Sequence, residues 1–323
     1  MVPTEIELSV VVPVFNEQEN IELLMERTVK ALSSEPLSWE LIIVDDGSTD
    51  NTSSLAKNYI TKCKASICLV EFQRNFGQTA AMQAGIDEAK GTYIATLDGD
   101  LQNDPNDIAK MLTELKTKDL DLLVGWRKNR KDAWIMRKLP SLIANRLIGR
   151  VTGVKLHDYG CSLKVYRSSV IKQITLFGEM HRYIPAWVAA IAPSSRISEI
   201  EVTHHPRIHG ESKYGISRSI RVILDLLAVS FFMRYRARPG HFFGSIGLLL
   251  GFFATLVLGY LGWDKFVMGN DIGTRPMLIA GFMMMLSSLQ FLTTGILAEM
   301  TSRTYYESSH RSHYIIRKRT TAV

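Results

Sequence analysis

Cysteine is scarce in this chain of 323 residues. Cys63, Cys68 and Cys161 are the whole complement, with no CxxC pair. That excludes a disulfide scaffold and a thiolate zinc site, and fits a reducing compartment. Met1 to Glu7 carries no basic segment leading into an apolar run, so no cleavable leader is expected. There is no GxGxxG after the first predicted strand and no GxxxxGK[ST] anywhere, which removes the main support for a dinucleotide-cofactor or P-loop reading. Internal repeats, low-complexity tracts and flexible linkers are also absent. No basic stripe is interleaved with aromatics, so nucleic acid is not expected as a partner despite a net charge of +6.

What is present in excess is apolar sequence, and it is concentrated. His241 to Trp263 and Pro276 to Ala298 contain no Asp, Glu, Lys or Arg. Each is about 23 residues, enough to cross ~30 Å of hydrocarbon. Arg234, Arg236 and Arg238 precede the first stretch, and Arg303, Arg311, Arg317, Lys318 and Arg319 follow the second. The loop from Asp264 to Arg275 has no basic excess. The positive-inside rule then puts both termini in the cytoplasm, giving a multi-pass protein of the cytoplasmic (inner) membrane whose basic flanks meet anionic lipid.

Ahead of the spans, short β-branched runs alternate with helical stretches. Strands are predicted at Leu8–Phe15, Trp39–Val44, Ile67–Phe72, Tyr93–Leu97 and Leu120–Val124. Helices are predicted at Glu17–Leu32, Asn51–Lys62, Gln78–Ala89 and Pro105–Thr117. Such runs imply an α/β fold with a mostly parallel sheet covered on both faces, whose ligands bind at the strand carboxyl ends. Two basic amphipathic stretches follow. Trp134–Val151 reads equally as a surface helix or a membrane-surface helix, while Ser217–Arg238, leading into the first span, favours the interfacial reading. The expected division is a catalytic domain over 1–215, an interfacial helix over 216–240, two spans over 241–300 and a basic tail over 301–323.

The polar residues cluster at those strand ends. Asp98-Gly99-Asp100-Leu101-Gln102 offers two carboxylates and an amide oxygen to one hard cation, which suits Mg²⁺ or Mn²⁺. Asp-Gly-Asp also makes a good turn; what favours the cation is the company. Asp45-Asp46-Gly47-Ser48-Thr49-Asp50 ends another strand, where a carboxylate can accept from a base or ribose edge. Arg74-Asn75-Phe76-Gly77-Gln78 pairs an arginine with a glycine at a loop-to-helix junction, which suits a phosphate. His204 and His205 are adjacent, so on a strand they face opposite sides and do not make a metal pair.

Together, VVPVFNE (Val11–Glu17), DDGSTD (Asp45–Asp50), RNFGQTAAMQAG (Arg74–Gly85), DGDLQNDP (Asp98–Pro105), DYGCSLKVYR (Asp158–Arg167), HRYIP (His181–Pro185) and GESKY (Gly210–Tyr214) resemble the family 2 glycosyltransferases of GT-A fold. The pattern is most similar to the polyisoprenyl-phosphate branch, which includes dolichyl-phosphate mannose synthase and the bacterial undecaprenyl-phosphate sugar transferases. The resemblance covers nearly the whole chain. One departure is Gly99, where the family usually has alanine.

The resemblance implies roles. Asp98, Asp100 and Gln102 match the metal and diphosphate segment, with Gly99 between them. Pro13, Phe15, Glu17 and Asp45 match nucleotide-binding positions, and Arg74 and Gly77 are read as donor-side phosphate contacts. Asp158 matches the acidic residue near the reacting centre, and Arg182, Arg207 and Lys213 match cations assigned to phosphates. The donor is then a nucleoside-diphosphate sugar, UDP favoured over GDP. The acceptor is a polyprenyl phosphate, and the assembly a homo-oligomer, by resemblance a tetramer. An acceptor phosphate with a second pKa near ~6 is mostly ionised at pH 7, so Asp158 is expected to orient it or take a residual proton, not to be a nucleophile. The cations offset the repulsion between two phosphates. Two other readings are a processive polysaccharide synthase, whose QxxRW motif is absent, and an inactive nucleotide-sugar-binding membrane adaptor.

Overall fold

The computed structural model describes residues 6–128, 149, 153–176, 178–206, 231, 235, 239–308 and 316–321. The chain divides into two compact units, Met1–Met233 with Ser312–Val323, and Arg234–Arg311.

In the first unit the apolar runs become the middle of a sheet. β1 (Leu8–Val14) is buried along its whole length, as are most of β2 (Trp39–Asp45) and β3 (Ile67–Phe72). Each fully buried Val, Leu or Ile stabilises by about 1.5–3 kcal/mol, which outweighs the weak local preference of so short a strand. Helices cover the faces. α1 (Ile21–Ser33) buries Ile21, Leu24, Met25, Thr28, Ala31 and Leu32, the spacing of one helical stripe. α2 (Thr52–Lys62) and α4 (Asp107–Thr117) are likewise one-sided. α3 (Gln78–Glu88) is instead buried continuously from Thr79 to Ile86 and lies directly on β1 and β2.

Among the described residues eight strands run in the order β7-β5-β6-β4-β1-β2-β3-β8. β1 pairs in parallel with β2 and with β4 (Tyr93–Thr96), and β2 with β3, so these four end on one edge. β5 (Leu122–Trp126) does not touch β4, because β6 (Lys164–Arg167) lies between them, antiparallel to both. β5 therefore points the same way as β4, and β7 (Ile197–Glu201) pairs in parallel with β5. α5 (Ser168–Ile171) and α6 (Ile184–Ala189) are short helices between β6 and β7. The first five predicted strands and four predicted helices are all present, with ends displaced by a few residues; α1 is the most shortened, starting at Ile21 and not at Glu17.

Three strands were not expected from the sequence. β6 and β7 are short and lack a continuous apolar run. The third corrects the picture of the tail: Ile316–Thr321 is a strand, β8, antiparallel to β3 at the sheet edge. Three consecutive basic residues read as a solvated extension, but an edge strand offers unpaired backbone groups whatever the side chains are.

The second unit is a helical hairpin, α7 (Pro239–Phe266) and α8 (Pro276–Ser308). By length and composition Pro239–Phe266 and Pro276–Thr301 can each cross a membrane. The helices pack on each other through small residues: the Ser288 hydroxyl donates to the Gly247 carbonyl at 2.7 Å. Leu248, Phe252, Leu256, Ile279, Phe282 and Leu286 remain more than half exposed, an apolar surface that water would not tolerate on this scale. The predicted stretches Trp134–Val151 and Ser217–Arg238 lie, but for single residues, outside the described residues.

Candidate active site

The strand ends form one chemically loaded edge of the first unit. The loops after β1 and β2 are laced together. The Asn16 N–H donates to Ser48 Oγ at 2.9 Å, and the Thr49 N–H donates to Asn16 Oδ1 at 2.9 Å. Asn16 sits at φ +53°, a left-handed conformation Asn tolerates better than most residues. Glu17 accepts from Asn20 Nδ2 at 2.6 Å, Phe15 is half-buried, and Pro13 lies buried in β1 opposite Val44.

The three carboxylates of the β2 loop do different work. Asp45 accepts the Ser48 N–H at 3.0 Å, and Asp50 accepts the N–H of Thr52, the first residue of α2, at 3.0 Å. Asp46, which the sequence reading left without a role, organises the next loop. It accepts from Asn75 Nδ2 at 2.9 Å, from the Phe76 N–H at 2.7 Å and from the Gly77 N–H at 2.9 Å. Burial pushes the carboxyls of both Asp45 and Asp46 up, against the opposing pull of those hydrogen bonds. Gly47 is required here twice over: its φ is +69°, and a Cβ would lie 2.3 Å from the Arg74 carbonyl carbon.

This changes the role of Gly77. Its N–H is donated to Asp46, so that group is not left for a phosphate. Arg74 is exposed, its guanidinium 4.2 Å from the centre of the Phe76 ring. Phe76 in turn meets Phe72 edge-on, centroids 5.6 Å apart.

The β4 end carries Asp98, Gly99, Asp100 and Gln102. Gln78, the first residue of α3, donates to Asp98 Oδ1 at 2.8 Å. Burial first, and the neighbouring Asp100 charge second, raise the Asp98 carboxyl. The buried Leu101 takes φ +59°, and the Gln102 N–H folds back to Asp100 Oδ1 at 3.2 Å. A non-glycine residue held left-handed costs roughly 1–2 kcal/mol and turns the loop so that both carboxylates serve one edge. Gly99 has a local reason: a Cβ would sit 2.9 Å from Val14 Cγ1. Among the described residues no three His, Cys, Asp or Glu side chains form a ready metal cage. Two like-charged carboxylates are the partial set that hard cations complete with further oxygen ligands, phosphates and water.

Across the edge, Arg127 at the end of β5 grips Asp158 with two bonds, Nε to Oδ2 at 2.7 Å and Nη2 to Oδ1 at 3.0 Å. Both side chains are nearly buried, 10% and 13% exposed. Arg127 lies in none of the motifs that the sequence offers; its one signal was its place directly after a buried strand. Burial opposes the charge of Arg127, but the hydrogen bonds and charge of Asp158 more than restore it. Lys164 on β6 was missed too. It is 2% exposed, pairs by register with Thr96 on β4 and Val124 on β5, and donates to the Cys161 carbonyl. Burial lowers its ammonium, while Cys161, Asp98 and Asp158 pull the other way. The carboxylates of Asp98 and Asp158 thus share one field with Arg127 and Lys164.

Arg182 lies on a single 3₁₀ turn, Met180–Tyr183, and is paired with Glu179 at 2.8 Å. His181 beside it bonds Thr79 at the start of α3 at 2.6 Å. Arg207 and Lys213 lie outside the described residues. The His204 backbone bridges to Asn103, and the His205 N–H donates to the Gln102 carbonyl at 2.7 Å, so this pair serves to hold the β4 loop.

Comparison with known proteins agrees with this geometry. The glycosyl transferase family 2 signature matches residues 9–175. The chain is 65% identical over 313 residues to a dodecaprenyl-phosphate galacturonate synthase of Rhizobium johnstonii, covering 97% of this chain and 93% of that protein. It is 35% identical to an undecaprenyl-phosphate 4-deoxy-4-formamido-L-arabinose transferase of Edwardsiella ictaluri, covering 96% and 93%. Among solved structures, glucosyl-3-phosphoglycerate synthase of Mycobacterium tuberculosis, in complex with Mn²⁺, UDP and phosphoglyceric acid, shares the fold. The TM-score is 0.54 at 16% identity, over 69% of this chain and 78% of that one. With this fold, this strand-end edge and these relatives, the chain belongs to glycosyl transferase family 2, in its polyprenyl-phosphate branch.

Proposed function

We propose that this protein transfers a sugar, with inversion, from a UDP-sugar to a polyprenyl phosphate at the cytoplasmic face of a membrane, and that the sugar is a uronic acid of the galacturonate type. The observation that carries the reading is the meeting of two carboxylate systems on one edge: Asp98 and Asp100 on the donor side, and Asp158 locked to Arg127 beside them. The nature of the sugar rests on the 65% identical relative, whose name gives galacturonate.

In this reading the loops after β1, β2 and β3 hold the nucleotide. Asp45, Phe15 and Glu17 meet it, and Arg74 reaches its phosphates. Asp98, Asp100 and Gln102 would hold Mg²⁺ or Mn²⁺. When bound, such a cation supplies charge neutralisation to the diphosphate as the anomeric bond breaks. Solved relatives of the same fold were crystallised with Mn²⁺ or with Mg²⁺ and UDP. The acceptor phosphate is itself the nucleophile, attacking the anomeric carbon from the face opposite UDP. Its charge is met by cations: Arg127 first, then Arg182, Arg207 and Lys213. Asp158 has both oxygens engaged by Arg127, which favours its service as an anchor for that guanidinium over proton abstraction.

A polyprenyl tail stays in the bilayer at ~0.8 kcal/mol per buried CH₂, which gives the apolar hairpin its purpose. Both ends of a two-helix hairpin emerge on one side, and the basic flanks favour the cytoplasm, against anionic lipid. Homo-oligomerisation, as a tetramer, completes the proposal.

The test is incubation of the full chain in detergent or vesicles with labelled UDP-galacturonate, UDP-glucose and UDP-arabinose-type donors and polyprenyl phosphate. A lipid-soluble, phosphate-linked uronate supports the reading. Polymer, or nucleotide binding without transfer, overturns it.

A further inference from the structure

Two adjacent pairs of side chains face each other where β5 ends and the segment before β6 passes. The inner pair is Arg127 on Asp158. The outer pair is formed by the residues just before them, Trp126 and His157, whose rings stack with centroids 4.4 Å apart and planes 16° apart. The result is a two-rung clasp, one rung ionic and nearly buried, the other aromatic and exposed on its His157 side.

A third element grips the outer rung. Glu199 on β7 accepts the His157 N–H at 2.7 Å through one carboxylate oxygen and bonds the His157 ring at Nδ1 through the other. Glu199 lies opposite Val124 in the β5–β7 ladder, and its side chain is 16% exposed. The base of the clasp is therefore the sheet itself. Lys128 adds to it from the far side, pairing with Glu201 and lying 5.4 Å from the Trp126 ring centre.

We propose that Glu199 and His157 are positioning residues for the Asp158–Arg127 pair, fixing where the guanidinium is offered to the acceptor phosphate; the inference rests on the reading of that pair given above. The His157 N–H is one residue from the Cα that carries the Asp158 side chain, so anchoring it to Glu199 removes the backbone freedom by which Asp158 would swing. A bidentate carboxylate–guanidinium pair is only as well placed as the backbone of its carboxylate. The acceptor anion must come within bonding distance of the anomeric carbon of a donor that is itself anionic, so a misplaced cation is felt in the transition state more than in binding of the donor. If the cluster were only an exposed ion pair, it would be worth about 0–1 kcal/mol and have no kinetic signature.

The experiment uses the full-length enzyme in vesicles with UDP-galacturonate and a polyprenyl phosphate. Glu199→Ala and His157→Ala are expected to lower kcat by about tenfold to a hundredfold with donor KM unchanged, the loss that a displacement of ~1 Å produces. His157→Asn, which unlike alanine returns a side-chain donor to Glu199, should recover part of that loss. In an Asp158→Asn background, Glu199→Ala should add less than about twofold, because residues acting through one another are not additive. Unchanged kcat in Glu199→Ala, effects that multiply with Asp158→Asn, or a parallel rise in donor KM with a lowered melting temperature would each overturn the proposal. Should the wild-type chain make no lipid-linked sugar, the function assignment falls. The clasp is then judged by the same double-mutant cycle on thermal unfolding, where additive losses refute it and coupling supports it.

Discussion

The proposed donor half of the sheet edge and the proposed acceptor half are held in different ways. After β1, β2 and β3 the loops are tied by carboxylates and amides that bond backbone N–H groups, above all Asp46 on Phe76 and Gly77. After β5, and before β6, the holding centres on side chains that pair with each other, Arg127 with Asp158 and His157 with Glu199, with the His157 N–H also donated to Glu199. A backbone-bonded loop is rigid before any ligand arrives. A side-chain clasp is specific in geometry but loses everything when one partner is removed, since the other is left as a nearly buried charge. In the proposed reaction this suits a nucleotide pocket that is preformed and an acceptor site that must place charge accurately.

The comparison can be broken at several points. The largest effect is expected from Asp100→Ala, which should reduce glycolipid formation by about 10²–10³-fold, since it removes a proposed ligand of the cation that would neutralise charge developing on the diphosphate. Activity restored by excess Mn²⁺ would instead point to weakened cation affinity, and full activity without it would defeat the cation assignment. Arg127→Met comes next. It should cut kcat about a hundredfold, through loss of placement, and lower stability by about 3–5 kcal/mol, because the nearly buried Asp158 carboxylate loses its guanidinium. Steady-state kinetics and chemical unfolding read the two separately.

On the donor half, Asp46→Asn should act through KM. Weakening charge-assisted bonds to two N–H groups is expected to raise the donor KM about tenfold while kcat is largely kept; a kcat effect without a KM effect would reverse the contrast between the halves. Acidification provides a further check. Burial and Asp100 raise the Asp98 carboxyl, so protons compete for it at a higher pH than for an ordinary carboxylate. Mn²⁺ affinity should therefore begin to fall while pH is still above the usual ~4, and Asp100→Asn should move that fall to lower pH. The smallest effect is expected from Gly99→Ala: about 1 kcal/mol of stability, from contact with Val14 Cγ1, and near-normal turnover. A loss of activity there would mean that the glycine serves the substrate directly.

The donor half was legible in the sequence because its determinants are local. Asp98 and Asp100 are two residues apart, Asp45 directly ends a strand, and β1 to β4 are apolar runs needing no partner to be recognised. The acceptor half was not. Arg127 and Asp158 are 31 residues apart, and His157 and Glu199 are 42 apart. β6 and β7 are short strands whose identity depends on neighbours supplied by tertiary structure.

The amino-acid order alone determined the apolar strands, the one-sided helices, the two long apolar helices and the carboxylate pair after β4, because hydrophobic burial and short-range geometry act between near neighbours. Only the tertiary structure decided that β6 would separate β4 from β5, that the basic tail would become an edge strand, and that Asp158 would be clasped by Arg127. Those outcomes come from closing long loops against a finished sheet, where the partner of a charge or of an unpaired strand edge is chosen by position in space and not along the chain.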